Sequence, residues 1–287
     1  MKEYVIITDS GCDMEYEVLA QWGVRCIDLF YRKAEEDVLY PNSSVNLPEF
    51  YAQMREGTVY QTSAINPDDC RGAFVKALDE GKDVLYIGLS SGISTTSNVA
   101  RLTAEELAAE YPGQDIRVID SLCASGGQGM LVYFAVKKQR EGMPLNELYD
   151  HLTALVPKMA HWVTVEDLQY LKRGGRISAT AAFAGTVLNL KPVIHVDDEG
   201  KLANTAKVRG RRQAIRHLAD KYAQLAEQTD GEYFITHADC PEDAKALESM
   251  IEEKYGRKAT SISQIGPVIG AHAGPGTLAL FFLGAER

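Results

Sequence analysis

Apolar and polar positions along the chain follow two different periods. Short apolar runs at residues 4–8, 83–88 (DVLYIG) and 116–119 read as buried strands. Between them the apolar residues recur every three to four positions, as on one face of a helix. Residues 13–21 predict a short helix closed by Gly23. Asn46 predicts a cap for a helix that carries Leu47, Phe50 and Met54 on one face and ends at Gly57. In NPDDCRGAFVKALDEG the helix signals are complete. Asn66 stands at the N-cap, Pro67 at the first helical position, Asp68 and Asp69 in the first turn, and Gly81 beyond the end. A Ser/Thr loop after residue 88 leads into a helix to about Tyr111. The strand at 116–119 runs into DSLCASGGQG, then an apolar helix from Met130, and another helix follows Pro144. Strands alternating with helices imply a parallel sheet covered by helices on both faces.

The rhythm changes after Ala160. Residues 161–165 (HWVTV) read as a strand, and KPVIHV and KLANTAKV flank Asp197-Asp198-Glu199-Gly200 as a hairpin. Helices are expected at 211–228 and 242–255, and strands at 233–237, 260–264 and 277–283. The fold class is therefore α/β: a parallel-sheet N-terminal domain over residues 1–160, and a smaller α+β C-terminal domain over 161–287. The boundary falls near 158–165. The segment near 45–75 is a candidate to pack with the second domain.

With 287 residues, 45% of them hydrophobic, the chain can bury a substantial core. A formal net charge of −10 argues against a nucleic-acid surface. No apolar run approaches the roughly 20 residues of a membrane span, and the run at 4–7 is too short for a signal-peptide core. Stable membrane insertion is therefore not expected. Five cysteines without a C-x-x-C pair fit a reduced, cytoplasmic protein. Cys12 and Cys123 read as small buried apolar residues rather than nucleophiles.

Candidate chemistry gathers in three hydroxyl-rich loops near predicted strand ends. They are QTSAINP with Thr62 and Ser63, GLSSGISTTSN with Ser90, Ser91, Ser94, Thr95, Thr96 and Ser97, and VIDSLCASGGQG with Asp120, Ser121 and Ser125. Ligands of open parallel sheets bind beyond the carboxyl ends of the strands, and hydroxyls with free N–H groups suit a carboxylate or phosphate. The same residues also serve as ordinary caps and turns. Gly88-Leu89-Ser90-Ser91-Gly92 matches the G-x-S-x-G of a nucleophile elbow. Ser90, Asp120 and His272 would then follow in the order of a serine hydrolase, although no HGG-type oxyanion loop accompanies them. A small-anion or phosphate binder is a second alternative. His272 lies in IGPVIGAHAGPG, whose glycines, Gly270 among them, would let backbone approach a ligand. The histidines show no metal-ligand spacing, so no metal site is expected. Lys172, Arg173 and Arg176 around Gly174-Gly175, and Lys207, Arg209, Arg211, Arg212 and Arg216, form two basic clusters. Each is either a solvated face or a docking patch for an acidic partner or a nucleotide's phosphates.

Taken in order, ITDSGCD, QTSAINP, IGLSSGISTTSNVA, VIDSLCASGGQGMLV, LQYLKRGGRIS, LKPVI, KVRGRRQAI and IGPVIGAHAGPG resemble the DegV family almost end to end. The resemblance implies a two-domain α/β protein that holds a long-chain fatty acid in a tunnel between its domains. It implies a carrier rather than an enzyme, with no cofactor beyond the bound fatty acid. The partner would be the ATP-binding subunit of a bacterial fatty acid kinase, which phosphorylates the presented carboxylate to an acyl phosphate. Carried over by motif, Thr62 and Ser94 would bind the carboxylate, with Thr95 and His272 beside it. Ser63, Ser90, Thr96, Ser121 and Gly270 would lie in the head-group vicinity, and Arg209 would face the kinase. One departure stands out: the family's Leu-Ser-Gly-Thr reads Ile93-Ser94-Thr95-Thr96 here, placing a side chain at Thr95 where a glycine is usual. Small residues at 178–190 suit either a tunnel wall or a tightly packed core helix.

Overall fold

The computed structural model describes residues 2–177, 189–285 and 287. Its first sheet is wholly parallel, with strand order β2-β1-β6-β7, where β1 is Tyr4–Asp9, β2 Arg25–Ile27, β6 Asp83–Gly88 and β7 Ile116–Asp120. Side chains alternate across these strands, and each set meets its own helices. Tyr4, Ile6, Leu85 and Ile87 pack with α1 (Tyr16–Trp22), α5 (Gly126–Arg140) and α6 (Leu145–Leu155). Val5, Ile7, Val84 and Tyr86 pack with α3 (Pro67–Asp79) and α4 (Thr96–Glu110). Burial on both faces explains why these strands are continuous apolar runs.

The second sheet has six strands in the order β10-β9-β8-β13-β11-β12. They are β8 Met159–Thr164, β9 Leu190–Val196, β10 Leu202–Arg209, β11 Tyr233–His237, β12 Ser261–Gln264 and β13 Leu278–Leu283. Pairing is antiparallel except between β11 and β12. Its outer face, including Trp162, Leu278, Leu280 and Phe282, is covered by helices Arg211–Leu225 (α8) and Pro241–Tyr255 (α9). Its inner face presents Phe234, Ala279 and Phe281 to α5. Helix α5 thus has a sheet on each side, and ten of its fifteen residues are buried. A helix apolar all round belongs in such a position.

A third sheet, order β4-β3-β5, is antiparallel and small: β3 Phe30–Lys33, β4 Tyr40–Pro41, β5 Tyr60–Ser63. The alternation in these short strands was too brief to read from sequence. With α2 (Leu47–Arg55) it forms an aromatic cluster of Tyr31, Phe50, Tyr51 and Tyr60 that also takes in Ala238, Ile265 and Ala271. Within residues 45–75, α2 packs with Ala238 and Ile265 near the second sheet, and α3 packs on the first sheet. Asn46 caps α2 by accepting from the Glu49 N–H, and Asn66 caps α3 by accepting from the Asp68 N–H.

Three sequence expectations are corrected by packing. Helix α1 begins at Tyr16 rather than Asp13. Ser10–Cys12 form a 3-10 turn ended by Asp13 at φ 51°. Helix α5 begins at Gly126, four residues before the expected Met130, and its first-turn glycines leave no room for a side chain. A Cβ on Gly126 would lie 2.7 Å from Phe281, one on Gly127 2.2 Å from the His161 Nε2, and one on Gly129 2.8 Å from Met14. The glycine-rich stretch around His272, expected to bring bare backbone up to a ligand, forms a seven-residue helix, Pro267–Ala273 (α10). Pro267 starts it and Gly274, at φ 82°, ends it. A five-residue helix, Gln169–Arg173 (α7), precedes the Gly174-Gly175 turn.

The Gly127 packing makes a prediction. Gly127→Ala should destabilise the protein by about 1–3 kcal/mol, the range for forcing an atom into a filled interior. Denaturant unfolding checks it, and a midpoint equal to wild type would contradict the close approach.

Candidate functional site

The carboxyl ends of β1, β6 and β7 are organised by Asp9, which is fully buried. Its carboxylate accepts from the Gly11 N–H (2.9 Å), the Leu89 N–H (3.0 Å) and the Tyr86 hydroxyl (2.7 Å). Two N–H groups and a hydroxyl meet a charge that burial otherwise disfavours, and burial raises its pKa. These bonds hold the turn after β1 and the loop after β6 against each other. Nearby, the Asp13 carboxylate accepts from the Gly266 N–H (2.8 Å) and so ties the first sheet's loops to the start of α10. Burial pushes the Asp13 carboxyl up to about 8.

Between these loops and the inner face of the second sheet lies a cavity of about 430 Å³. That is within the range of small-molecule sites. Most of its wall is aliphatic. Val163 of β8, Val165 just beyond it, and Ile194 and Val196 of β9 form one side, and Phe281 closes another.

Polar groups converge on the same cavity from separate parts of the chain. Thr62 and Ser63 come from the end of β5, Ser94 and Thr95 from the loop before α4, and His272 from α10. Thr62 Oγ1 and His272 Nε2 are 2.7 Å apart. Ser94 Oγ lies 2.9 Å from Thr96 Oγ1. Thr95 precedes α4 with φ −85°, an ordinary backbone for any L-residue, so no glycine is required there.

Arg176 also lines this wall, although in sequence it belonged to a basic cluster read as surface. Its Nε donates to the Ile93 carbonyl at 3.0 Å, next to Ser94. The signal for its inward turn was the Gly174-Gly175 pair between buried Leu171 and Ile177, because Gly175 at φ 70° reverses the chain. Burial lowers the guanidinium pKa. Burial first, and the Arg176 charge second, hold His272 down to about 4, so its imidazole is neutral at ordinary pH. His161 was passed over as well. It shares the cavity face of β8 with Val163, two residues on, and its Nδ1 pairs with the Met159 carbonyl at 3.0 Å. Burial takes it down to about 3.

Of the residues expected in the head-group vicinity, Ser90, Ser121 and Gly270 are engaged elsewhere, whereas Thr96 adjoins Ser94. The Ser90 hydroxyl donates to the Gly200 carbonyl (2.8 Å), and Ser121 bonds within its own turn to Cys123. Thr96 Oγ1 accepts from the Ile65 N–H (3.2 Å). Gly270 abuts Tyr51, where a Cβ would sit 2.5 Å from the tyrosine oxygen. The Ser90–Asp120–His272 relay is consequently not formed. Asp120 accepts from the N–H groups of Ser91 and Leu122, and His272 pairs with Thr62. Arg209 stands exposed at the end of β10, outside the cavity wall. Of the small-residue stretch at 178–190, residues 178–188 lie outside the described residues. Among the described residues no group of three or more potential metal ligands assembles, and no helix is long and apolar enough to cross a membrane.

Fold and site together define an α/β protein that encloses an aliphatic cavity between a parallel and a mixed sheet, with polar groups converging on it. The family model described as "Uncharacterised protein, DegV family" matches residues 3–285, and the chain belongs to the DegV family. It is 38% identical over 289 residues to a DegV domain-containing protein of Clostridium perfringens (strain 13 / Type A), covering 100% of this chain and 99% of that one. A Streptococcus pyogenes serotype M3 relative is 31% identical over 287 residues, covering 98% of each. Among solved structures, a fatty-acid-binding DegV family protein from Thermus thermophilus aligns with TM-score 0.86 and 28% identity, covering 98% of this chain and 99% of that one. A DegV lipid-binding protein from Thermotoga maritima aligns with TM-score 0.85 and 26% identity, covering 99% of each.

The depressed titrations of His272 and His161 contribute a pH dependence. Unfolded histidines titrate near 6.5, whereas the folded chain refuses their protons until about 4 at His272 and 3 at His161. As pH falls below about 6.5 the unfolded state therefore gains protons the folded state lacks, and stability drops. The slope is about 1.4 kcal/mol per pH unit for each such histidine. His272→Gln should show a shallower loss between pH 6.5 and 4 than wild type in denaturant titrations. Parallel curves would mean that His272 is not buried neutral.

Proposed function

We propose that this protein binds a long-chain fatty acid in the cavity and presents its carboxylate to an ATP-dependent kinase subunit, which makes the acyl phosphate. The observation that carries the reading is the composition of the wall, with hydroxyls, a neutral imidazole and one guanidinium beside an aliphatic lining. A small-anion binder has no use for that lining. On the same reading the chain divides into domains over residues 1–160 and 161–287, with the ligand between them. Catalysis belongs to the partner, the fatty acid is the bound ligand, and the protein works in the cytoplasm.

Thr62, Ser94 and Thr95 hold the carboxylate, with His272 behind Thr62. In the tautomer with its proton on Nε2, His272 donates to Thr62 Oγ1, which leaves the Thr62 hydroxyl proton free to donate to the carboxylate. Arg176 supplies the countercharge, engaged at Nε with Ile93. Burying a carboxylate is costly unless such donors meet it. The tail brings the affinity: each buried methylene is worth about 0.8 kcal/mol, so about 15 of them supply ~12 kcal/mol before binding costs. Arg209, exposed and outside the cavity, lies on the kinase-facing side.

Organic extraction of the purified protein followed by mass spectrometry tests the ligand. Stoichiometric fatty acid is the expected result, and an empty extract together with no uptake of added fatty acid would refute the reading. The double variant Thr62→Ala, Ser94→Ala should weaken fatty-acid binding by roughly 1–3 kcal/mol per lost buried partner. Unchanged affinity by titration would remove both from the site. Arg209→Ala should bind fatty acid as wild type does yet be turned over more slowly by the kinase. Equal loss of binding and turnover would rule out a docking role.

A further inference from the structure

The Gly-Leu-Ser-Ser-Gly motif, which imitates a nucleophile elbow, has another use in this fold. The β9–β10 hairpin supplies Ile194, Val196 and Leu202 to the cavity wall, and its turn at 197–200 reaches across to the first sheet's loops. Asp197 stiffens that turn. Its carboxylate accepts from the N–H groups of Glu199 (3.0 Å) and Lys201 (2.9 Å), and its carbonyl accepts from the Gly200 N–H (2.9 Å).

The tip sits on the motif with no space to spare. Ser90 Oγ donates to the Gly200 carbonyl at 2.8 Å and accepts from the Gly92 N–H at 3.1 Å. A Cβ on Gly92 would come within 2.5 Å of the Glu199 carbonyl oxygen and 2.6 Å of the Gly200 backbone. A Cβ on Gly200, which has φ 72°, would come within 2.2 Å of Ser90 Oγ. The second glycine of the motif and the glycine of the hairpin are therefore both matched to one contact, and Ser90 is its central hydrogen bond.

We propose that the β9–β10 hairpin is a strap across the cavity, latched by Ser90 to Gly200, whose release governs exchange of the acyl ligand. This rests on the fatty-acid reading above and adds to it where the cavity opens. The latch atoms are not cavity-lining polar groups, so they hold the closed form whether or not ligand is inside. Weakening the latch raises the open population equally in the empty and loaded protein, which speeds entry and exit together and cancels in the affinity.

The test uses the full chain with cis-parinaric acid as a fluorescent fatty-acid probe, and stopped-flow association and displacement by excess palmitic acid. Ser90→Ala and, independently, Gly200→Ala should each raise both association and dissociation rates about three- to tenfold, the factor one net hydrogen bond is worth, with little change in Kd. Cooperative melting of each variant confirms that it is folded. Rates equal to wild type in both variants overturn the strap while leaving the fatty-acid reading intact. A change confined to dissociation, with affinity lost in proportion, also overturns it, because the contact would then belong to the loaded form alone. Failure of the wild-type chain to take up the probe overturns both.

Discussion

Helix α5 sets the distance between the two large sheets, and everything near the cavity depends on that distance. Its side chains meet Ile6, Leu85 and Ile87 of the parallel sheet in one direction and Phe234, Ala279 and Phe281 of the mixed sheet in the other. Three glycines in its first turn let the second sheet and Met14 approach to contact. Interiors are packed to crystal density, so an extra carbon at Gly126 or Gly127 would have to be accommodated by moving a sheet. Beside α5, Val163, Ile194 and Val196 of the same sheet line the cavity.

The polar side of the cavity follows a consistent electrostatic logic. Asp9 and Asp13 are buried carboxyl groups whose donors are mostly backbone N–H groups, and those bonds fix the loops rather than the ligand. Among the described residues, the polar groups facing the cavity are hydroxyls, two histidines kept neutral by burial, and the Arg176 guanidinium. Such a set meets a single negative charge without neutralising it covalently or through a metal. On the proposed reading that leaves a carboxylate oxygen available to a phosphoryl donor. Two of the hydroxyl-rich loops serve the cavity only in part, because Ser90 and Ser121 hold turns and the hairpin tip instead.

Local chemistry made much of the first half readable. Strands β1 and β6 are apolar on both faces because both faces are covered, and Asn46 and Asn66 cap helices because their side chains accept from N–H groups two or three residues on. The small sheet of β3, β4 and β5 was not readable, since its strands are two to four residues long and take their stability from Phe50 and Tyr51, distant in sequence from β3. The helix at His272 was hidden by its glycines, which are there for Tyr51 and Tyr170 rather than for a ligand.

Chain order alone was enough for the α/β character, the change of rhythm near residue 160, and the hydroxyl loops at strand ends. Those are features of period, capping and turn chemistry, which act over a few residues. Which hydroxyls meet was decided only by tertiary packing. Thr62 reaches His272 across 210 positions, and Arg176 turns inward while Ser90 turns to Gly200. A side chain's partner depends on where two sheets come to rest against a common helix, and no local preference carries that distance.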